Sequence, residues 1–241
     1  MKGNPMILIC GDTHGDRGRI ETLLDETVKN RNIDIETAYI LVCGDFGFLF
    51  RNTPSEMEYL QELNRKLRLF NCFVLFADGN HENHDYLDSL PVHDSFGGKV
   101  HAITSNILHL MRGQAYEIDH KQIFVFGGAA STDKAFRMSY ESLNQAKIWW
   151  EREIPDNKEY HTAASTMQAN RNCFDIIISH TAPREIIRMM GYYPTQDDLE
   201  LTGFLEWIAH ECKYGLWCFG HFHEDWAMGK FRCLMNTIVV I

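Results

Sequence analysis

Residues able to bind metal ions follow five short apolar runs of the sequence, at the point where each run ends. The runs and their continuations read MILICGDTHGD, ILVCGDFG, VLFADGNHE, IIISHTAP and LWCFGHFHED. The candidate ligands in them are Asp12, His14, Asp45, Asn80, His180, His221 and His223. Carboxylates, imidazoles and an amide oxygen form a mixed nitrogen and oxygen set. That set suits manganese, iron, zinc or nickel better than calcium or a thiolate site.

The number of candidate ligands indicates two ions. One ion takes about four to six ligands, so a larger set is explained by two ions that share a carboxylate. Two ions about 3.5–4 Å apart are a common device for displacement at phosphorus, because they generate hydroxide and neutralise developing charge. The sequence therefore predicts a two-metal centre that acts on a phosphate compound.

The elements around these residues follow an α/β rhythm. Strand-like runs alternate with helical patterns, and we expect helices over about residues 16–30, 54–70, 83–89 and 198–212. In such sheets ligands collect beyond the carboxyl ends of the strands, so the five ends should converge on one place. The turns contain Gly11, Gly44, Gly79 and Gly220, which permit the sharp exit that aims a side chain over the sheet edge.

The middle of the chain has a different pattern. The runs KVHAI, ILHLM, QAYEID and QIFVFGG follow one another without helices, which predicts an antiparallel set of strands. Residues 134–171 are predicted to form a helical excursion that includes IWWEREIP. The α/β rhythm then resumes, and final strands are expected over residues 231–234 and 237–241. We interpret residues 1–241 as a single domain.

The motifs resemble a known superfamily. The order Asp-x-His, Gly-Asp, Gly-Asn-His-Glu, a lone His and Gly-His-x-His is similar to that of calcineurin-like metallophosphoesterases, from Asp12 to His223. The resemblance implies an α/β fold, a four-layer α/β/β/α sandwich of two mixed sheets flanked by helices. The pattern GGA followed by WW is similar to a set of small bacterial members. The Asp-Arg element that follows Gly-Asp in the protein Ser/Thr phosphatase branch is replaced here by GDFGFLFR, which argues against that branch.

The resemblance also implies roles for individual residues. It assigns one ion to Asp12, His14, Asp45 and His223, and a second ion to Asp45, Asn80, His180 and His221. His81 would face the substrate and stabilise the phosphoryl group or protonate the leaving oxygen, while a hydroxide bridging the ions attacks phosphorus. Glu82 and Asp85 are candidates to support the ligands, and Arg51 and Arg137 are candidates to bind phosphate. The residue that orients His81 is left open.

Two further stretches allow alternative interpretations. The loop in FVFGGAASTDKAFR is either an ordinary turn with Ser131 or Thr132 as a helix cap, or part of the site rim with Asp133, Lys134 and Arg137 near the substrate. The adjacent Trp149 and Trp150 pack in the core, or one of them covers the site and stacks on a ring.

Composition limits the classes of function. The chain has 241 residues, of which 45% are hydrophobic, enough for one sizeable core. Its net charge of −10 argues against broad binding of long nucleic acid, which requires a basic surface. We found no apolar run long enough to cross a bilayer and no secretory signal, and the seven cysteines are scattered. We therefore expect a cytoplasmic protein without membrane contact.

The sequence as a whole predicts a metal-dependent phosphoesterase, a hydrolase of phosphoric ester bonds. The substrate would be a small phosphorylated molecule or a nucleotide, and monoesters, diesters and pyrophosphates all remain open. The cofactors would be two divalent transition-metal ions, manganese first, with iron, zinc or nickel as alternatives. The competing class is a non-catalytic scaffold on the same fold that binds partner proteins. Neither the substrate nor the oligomeric state follows from the sequence.

Overall fold

The computed structural model describes residues 6–29 and 37–241. Its first half alternates strands and helices and then adds three strands in succession. The elements are β1 (Met6–Cys10), α1 (Arg17–Lys29), β2 (Ala38–Val42), α2 (Pro54–Leu69), β3 (Cys72–Phe76), α3 (His84–Ser89), β4 (Val92–Ser95), β5 (Gly98–Ala102) and β6 (Ile107–Leu110). The predicted end of the first helix at Asn30 lies outside the described residues, and so do residues 1–5 of the starting stretch that we interpret as lacking a secretory signal.

The second half contains most of the remaining helices. Its elements are β7 (Gln114–Ile118), β8 (Lys121–Phe126), α4 (Lys134–Asn144), a 3-10 turn (Glu151–Glu153), α5 (Asn157–Ala169), β9 (Cys173–Ser179), α6 (Arg184–Met189), α7 (Leu199–Glu211), β10 (Lys213–Phe219), β11 (Trp226–Met228), β12 (Phe231–Cys233) and β13 (Val239–Val240). In the described part of the chain, no helix is long and apolar enough to span a membrane.

The strands form two mixed sheets. The first has seven strands in the order β13-β1-β2-β3-β6-β5-β4, and the second has six in the order β11-β12-β10-β9-β8-β7. In the first sheet β1, β2, β3 and β6 run parallel, and in the second β8, β9, β10 and β12 run parallel. Antiparallel strands occupy the edges of both sheets.

Three apolar layers hold the sheets and helices together. Between the two sheets, Ile7 and Ile9 of β1 meet Val125 of β8 and Ile178 of β9. On the outer face of the first sheet, a second cluster packs α1 and α2 against its strands. On the outer face of the second sheet, a third cluster packs α5, α6 and α7. Because neighbouring strand residues point to opposite faces, each sheet is buried on both sides. The predicted four-layer sandwich is confirmed.

The middle strands depart from the prediction of one antiparallel set. Pairings β4–β5, β5–β6 and β7–β8 are antiparallel as expected, but β6 and β7 belong to different sheets. The chain crosses between the sheets at Gly113, which has φ +74° and whose amide donates to Val125 at 2.8 Å. A side chain there would collide with Ala163 of α5. The strand pattern alone carried no signal for this crossing.

The helical segment 134–171 is also subdivided. α4 and α5 occupy its ends as expected, but residues 145–150, including both tryptophans, are not helical. Glu141 near the end of α4 accepts the backbone amides of Ile148 and Trp149, both at 2.6 Å, and so holds this stretch out of a helix. α5 is part of the sandwich, since its Ala163 and Met167 lie in the core of the second sheet. The short α6 and β11 were not predicted.

Candidate metal centre

The five polar strand ends meet at one edge of the sandwich. Three of them follow β1, β2 and β3, which are neighbours in the first sheet. The other two follow β9 and β10, which are neighbours in the second sheet. The site therefore lies where the carboxyl ends of the two sheets face each other, and each sheet supplies part of it.

One group of side chains forms a compact cluster. The ligand atoms of Asp12, His14, Asp45 and His223 all lie within 4.8 Å of one another. Asp12 Oδ2 is 3.2 Å from His223 Nε2 and 3.6 Å from His14 Nε2. The two imidazole Nε2 atoms of His14 and His223 face each other at 2.9 Å. Four donor atoms thus surround one point.

A second group adjoins the first. Asn80 Oδ1 lies 3.2 Å from His180 Nε2 and 3.1 Å from His221 Nδ1. Asp45 Oδ1 lies 3.2 Å from His180 Nε2. The amide nitrogen of Asn80 donates to Ser131 Oγ at 3.4 Å, which turns the carbonyl oxygen toward the two histidines. His180 donates from Nδ1 to the Cys43 carbonyl at 2.8 Å, which directs Nε2 into the group.

Asp45 stands between the two groups. Its Oδ2 lies 3.8 Å from His14 Nδ1, in the first group. Its Oδ1 lies 3.2 Å from His180 Nε2, in the second. The backbone amide of His81 donates to the same Oδ1 at 2.8 Å. The carboxylate is therefore oriented so that one oxygen is available to each group.

Two glycines make room for this arrangement. Gly44 has φ +97°, and a Cβ atom there would overlap the His180 ring. At Gly79, a Cβ would overlap Asp45 Oδ1 and lie 2.6 Å from His180 Nε2. Any side chain at either position would displace the donor atoms themselves, so only glycine permits this packing.

The backbone of four predicted ligand residues is unusual. His14, Asp45, His221 and His223 all have positive φ, between 48° and 69°. This left-handed conformation costs a non-glycine residue about 1 kcal/mol or more. It persists because surrounding contacts hold it, such as the amides of Thr13 and His14, which donate to the Asp45 carbonyl at 3.0 and 2.8 Å. Residues in this conformation often occur at functional sites.

The two buried carboxylates stay ionised only because positively charged or hydrogen-bonding groups lie beside them. Burial alone would raise the pKa of Asp12, but hydrogen bonds from His14 and His223 hold it below its usual range. Asp45 shows the same competition, with His180 lowering its pKa against burial. Burial alone would lower the pKa of His180, but Asp45 and then Asp12 raise it to about 10. A proton on His180 thus supplies part of the positive charge that stabilises the two carboxylates.

The donor set fits divalent cations. Within the described part of the chain, no lysine or arginine forms an ion pair with Asp12 or Asp45. Ring nitrogens instead face carboxylate oxygens, an amide oxygen and each other, so several lone pairs converge at each group and histidine N–H protons offset part of their repulsion. A cation at each group would satisfy these lone pairs and replace the proton on His180.

His81 is held beside the centre by an arginine. Its ring makes an edge contact with His14, with ring centroids 4.8 Å apart. Arg137 Nη2 donates to His81 Nε2 at 2.7 Å, and Arg137 Nη1 donates to the Asn80 carbonyl at 3.0 Å. Asp133 in turn accepts from Arg137 Nε at 2.7 Å. Burial and Arg137, against the opposing effect of Asp45, lower the pKa of His81 to about 4.

The other predicted site residues fall into two groups. Glu82 supports the site, since its carboxylate accepts the amides of Phe46 at 2.6 Å, Gly47 at 3.3 Å and Gly79 at 2.7 Å and so joins the loops after β2 and β3. Asp85 instead pairs with Lys147 at 2.6 Å on the surface.

Arg51 and Lys134 are not in contact with the predicted ligands. Arg51 is exposed beyond Phe50, at the edge of a cleft. Lys134 pairs with Asp197 at 2.8 Å.

The helix-cap alternative for the rim loop needs correction. Neither Ser131 nor Thr132 caps α4; Ser131 instead bonds the buried Glu153 through its amide at 2.8 Å and its hydroxyl at 2.5 Å. Asp198 at the start of α7 makes no cap hydrogen bond and accepts the Ala130 amide at 2.8 Å. Tertiary contacts of this rim loop thus replace the expected cap of α4, and the Asp198 side chain bonds the same loop instead of capping α7.

One pair of site-supporting residues was missed from the sequence. Asp78, two residues before Asn80, is buried and bonded to Arg112 and to His109. Arg112 lies between two apolar strands in LMRGQAY, and a charged residue in that position was the available signal. The pair fixes the start of the loop that carries Asn80 and His81.

Comparisons with known proteins agree with the motifs. No curated protein matches the chain. Among solved structures, phosphopantetheinyl hydrolase from Mycobacterium tuberculosis is similar with a TM-score of 0.44 and 14% identity, over 97% of this chain and 89% of that one. That likeness is too low to carry a conclusion about activity. The family model described as calcineurin-like phosphoesterase matches residues 5–225. This match confirms the resemblance predicted from the motifs: the chain belongs to the calcineurin-like phosphoesterase family and is a hydrolase of phosphoric ester bonds.

Proposed function

We propose that the protein hydrolyses a phosphate monoester or diester of a small molecule or nucleotide at a centre of two divalent transition-metal ions. Asp12, His14, Asp45 and His223 would hold one ion, and Asp45, Asn80, His180 and His221 the other. Manganese is the first candidate, and iron, zinc and nickel suit the same donors.

The orientation of Asp45 carries this proposal. Its two carboxylate oxygens face different groups, Oδ2 toward His14 and Oδ1 toward His180. A carboxylate shared in this way explains why more ligand residues are gathered than one ion requires. The positive φ of Asp45 and its bond from the His81 amide keep the carboxylate in that orientation.

The ions, when bound, would supply a bridging hydroxide for attack on phosphorus and would neutralise charge on the phosphoryl oxygens. The remaining tasks fall to the chain itself. Arg137 holds His81 Nε2 from one side, so the opposite ring nitrogen, Nδ1, is the atom left to contact a phosphoryl oxygen. The Arg137 guanidinium is buried beside it and adds a fixed positive charge, which stabilises negative charge that develops during the displacement.

Hydrolysis assays test this proposal. We would measure turnover of p-nitrophenyl phosphate and bis-p-nitrophenyl phosphate with manganese, nickel, zinc or magnesium, and count bound metal by elemental analysis. Asp45→Asn keeps the shape of the side chain but removes its charge. We therefore expect turnover to fall by more than about 100-fold, which exceeds the usual effect of losing a residue that only supports a metal ligand. Asp94→Asn, which changes an exposed aspartate paired with Lys99, is the matched control.

Metal-dependent turnover that is lost in Asp45→Asn and kept in Asp94→Asn would support the proposal. The ratio of the two rates would separate monoesterase from diesterase. Absence of turnover in protein that carries two ions, together with tight binding of a partner protein, would favour the scaffold alternative. The described site favours catalysis over that alternative, because clustered buried ionisable groups are costly and usually mark function.

A further inference from the structure

A cleft opens beside the candidate metal centre. It has a volume of about 570 Å³, within the range of about 300–1,000 Å³ common for sites that bind small organic molecules. Three segments enclose it: the loop at residues 50–52, residues 83–89 of α3 and its cap, and residues 140–150 at the end of α4 and beyond. None of the seven predicted metal ligands lines it.

Two connections place the mouth of this cleft next to His81. The Phe50 ring, which forms part of the wall, lies 5.8 Å from the His81 ring between centroids. Arg137, which bonds His81, lies three residues before Tyr140 on α4, so the two side chains are neighbours on the helix surface. Tyr140 also lines the cleft. A group attached to a phosphoryl centre near His81 would therefore extend into this space.

Aromatic side chains form much of the wall. Phe50 contacts Trp150 edge to face, with centroids 5.5 Å apart and the ring planes at 76°. Trp150 is only 3% exposed, and its indole lies beside the Asp85 carboxylate, whose pKa Lys147 and then Trp150 lower by hydrogen bonding. Tyr140 is 36% exposed, so its ring is accessible from the cleft. Flat rings stack well on an accessible aromatic ring such as that of Tyr140.

The cleft also contains a guanidinium that has no ion-pair partner in the described part of the chain, although the whole chain carries −10. Lys147 is neutralised by Asp85, which its ammonium contacts at 2.6 Å. The Arg51 backbone amide donates to Glu56, but its guanidinium forms no ion pair or hydrogen bond within residues 6–29 and 37–241. Arg51 is exposed, so it is free to bind an anion that enters the cleft.

We propose that this cleft is a leaving-group subsite for a flat aromatic ring that carries its own anionic group, the chemistry offered by a nucleoside monophosphate. The inference rests on the proposed function, because it requires the phosphoryl group to lie beside His81. The group that leaves from phosphorus on that side would then enter the cleft. The suitable substrate is then a phosphoanhydride such as ADP, a third class of phosphate compound beside the monoesters and diesters of the proposed function. Water adds to the terminal phosphorus, the bond to the bridging oxygen breaks, and that oxygen leaves with its electron pair as part of AMP. The other product is inorganic phosphate, and the proton lost by water goes to solvent.

Binding measurements test the subsite independently of turnover. We would titrate the metal-loaded full chain with AMP, adenosine, ribose 5-phosphate and inorganic phosphate by calorimetry. AMP should bind at least about tenfold more tightly than adenosine or phosphate, because only AMP provides both ring and anion. Arg51→Ala should lower the AMP-to-phosphate affinity ratio about tenfold, and Tyr140→Ala should lower it severalfold. Both residues are exposed, so neither change threatens folding. Arg68→Ala, at an exposed arginine outside the cleft, is the control and should leave the ratio unchanged.

The possible outcomes separate the two proposals. If AMP binds no more tightly than phosphate, or if Arg51→Ala leaves the ratio unchanged, the subsite is wrong even where p-nitrophenyl phosphate is hydrolysed. If AMP binds with the predicted dependence on Arg51 while no phosphate ester is hydrolysed, the proposed function fails and the ring-and-anion site stands.

Discussion

Arg112 is the centre of a buried polar network that supports the site loop. Its Nε donates to Asp78 Oδ2 at 2.8 Å, and its Nη2 contacts the same carboxylate. Its Nη1 donates to Glu159 at 3.1 Å, and its Nη2 also reaches the carbonyls of Arg152 at 2.9 Å and Glu153 at 3.2 Å. Arg112 is 4% exposed and Asp78 is 1% exposed. The network ties the loop after β3 to the segment before α5.

We predict that Arg112→Met destabilises the protein by about 3–5 kcal/mol, the usual cost of removing one partner from a buried ion pair. Methionine preserves most of the packing but none of the donors. The Asp78 carboxylate would then remain buried with His109, 3.2 Å away, as its nearest hydrogen-bonding partner. Against the cost of burial, Arg112 holds the pKa of Asp78 well below its usual range, so this stabilisation would be lost. For a chain of this size the expected fall in Tm is about 6–20 °C.

Urea unfolding of the wild type, Arg112→Met and Asp78→Asn/Arg112→Met measures this cost. The double variant should regain part of the loss, because it leaves no unpaired buried charge. Lys66→Met removes an exposed pair with Glu21, whose atoms are 2.9 Å apart, and should cost less than about 1 kcal/mol. A loss under about 1 kcal/mol in Arg112→Met, or a double variant no more stable than the single one, would refute the reasoning.

Three further predictions concern the site and its surroundings. Burial raises the pKa of Asp198 from 3.8 to about 6, so the folded state holds its proton to higher pH than the unfolded chain. Asp198→Asn should therefore be more stable than the wild type by roughly 2–3 kcal/mol at pH 7.5, with the difference gone below about pH 4, as measured by urea midpoints across pH. Gly44→Ala should abolish metal binding in elemental analysis, because its Cβ overlaps His180, whereas Gly97→Ala, also at positive φ (+83°) but in open space, should retain it. Glu82→Ala should cost about 1–3 kcal/mol for each buried amide left without an acceptor, at Phe46 and Gly79, in urea unfolding; wild-type stability would contradict this.

Several elements were predictable because their signals are local. α2 begins at Pro54, where Thr53 and Glu56 form a capping box, and its apolar spacing buries Leu60 and Leu63. The strands before the ligand residues are continuous apolar runs, as expected of strands buried on both faces. The helix predicted from residue 83 has a local cap as well, since Asn83 accepts the Tyr86 amide at the start of α3 at 3.0 Å.

Other features depended on contacts between distant residues. Residues 148–150 were predicted to be helical but are held extended by Glu141. Likewise, both β6 and β7 have strand-like sequences, and nothing in them indicates that they lie in different sheets. They do so because Gly113 turns the chain at a point where α5 leaves no room for a side chain. Local propensity is a weak preference, and packing overrides it where several buried contacts act together.

By itself, the sequence determined the chemistry that the site can offer. The nature of a donor atom is a covalent property of its residue, so Asp, His and Asn after five apolar runs already specified a mixed nitrogen and oxygen centre. The tertiary structure alone decided how those atoms face one another and what stands beside them. Arg137 reaches His81 across 56 residues of chain, and Arg51 and Tyr140 meet in one cleft. Such distances arise from sheet pairing and core packing between remote segments, which no local pattern of residues encodes.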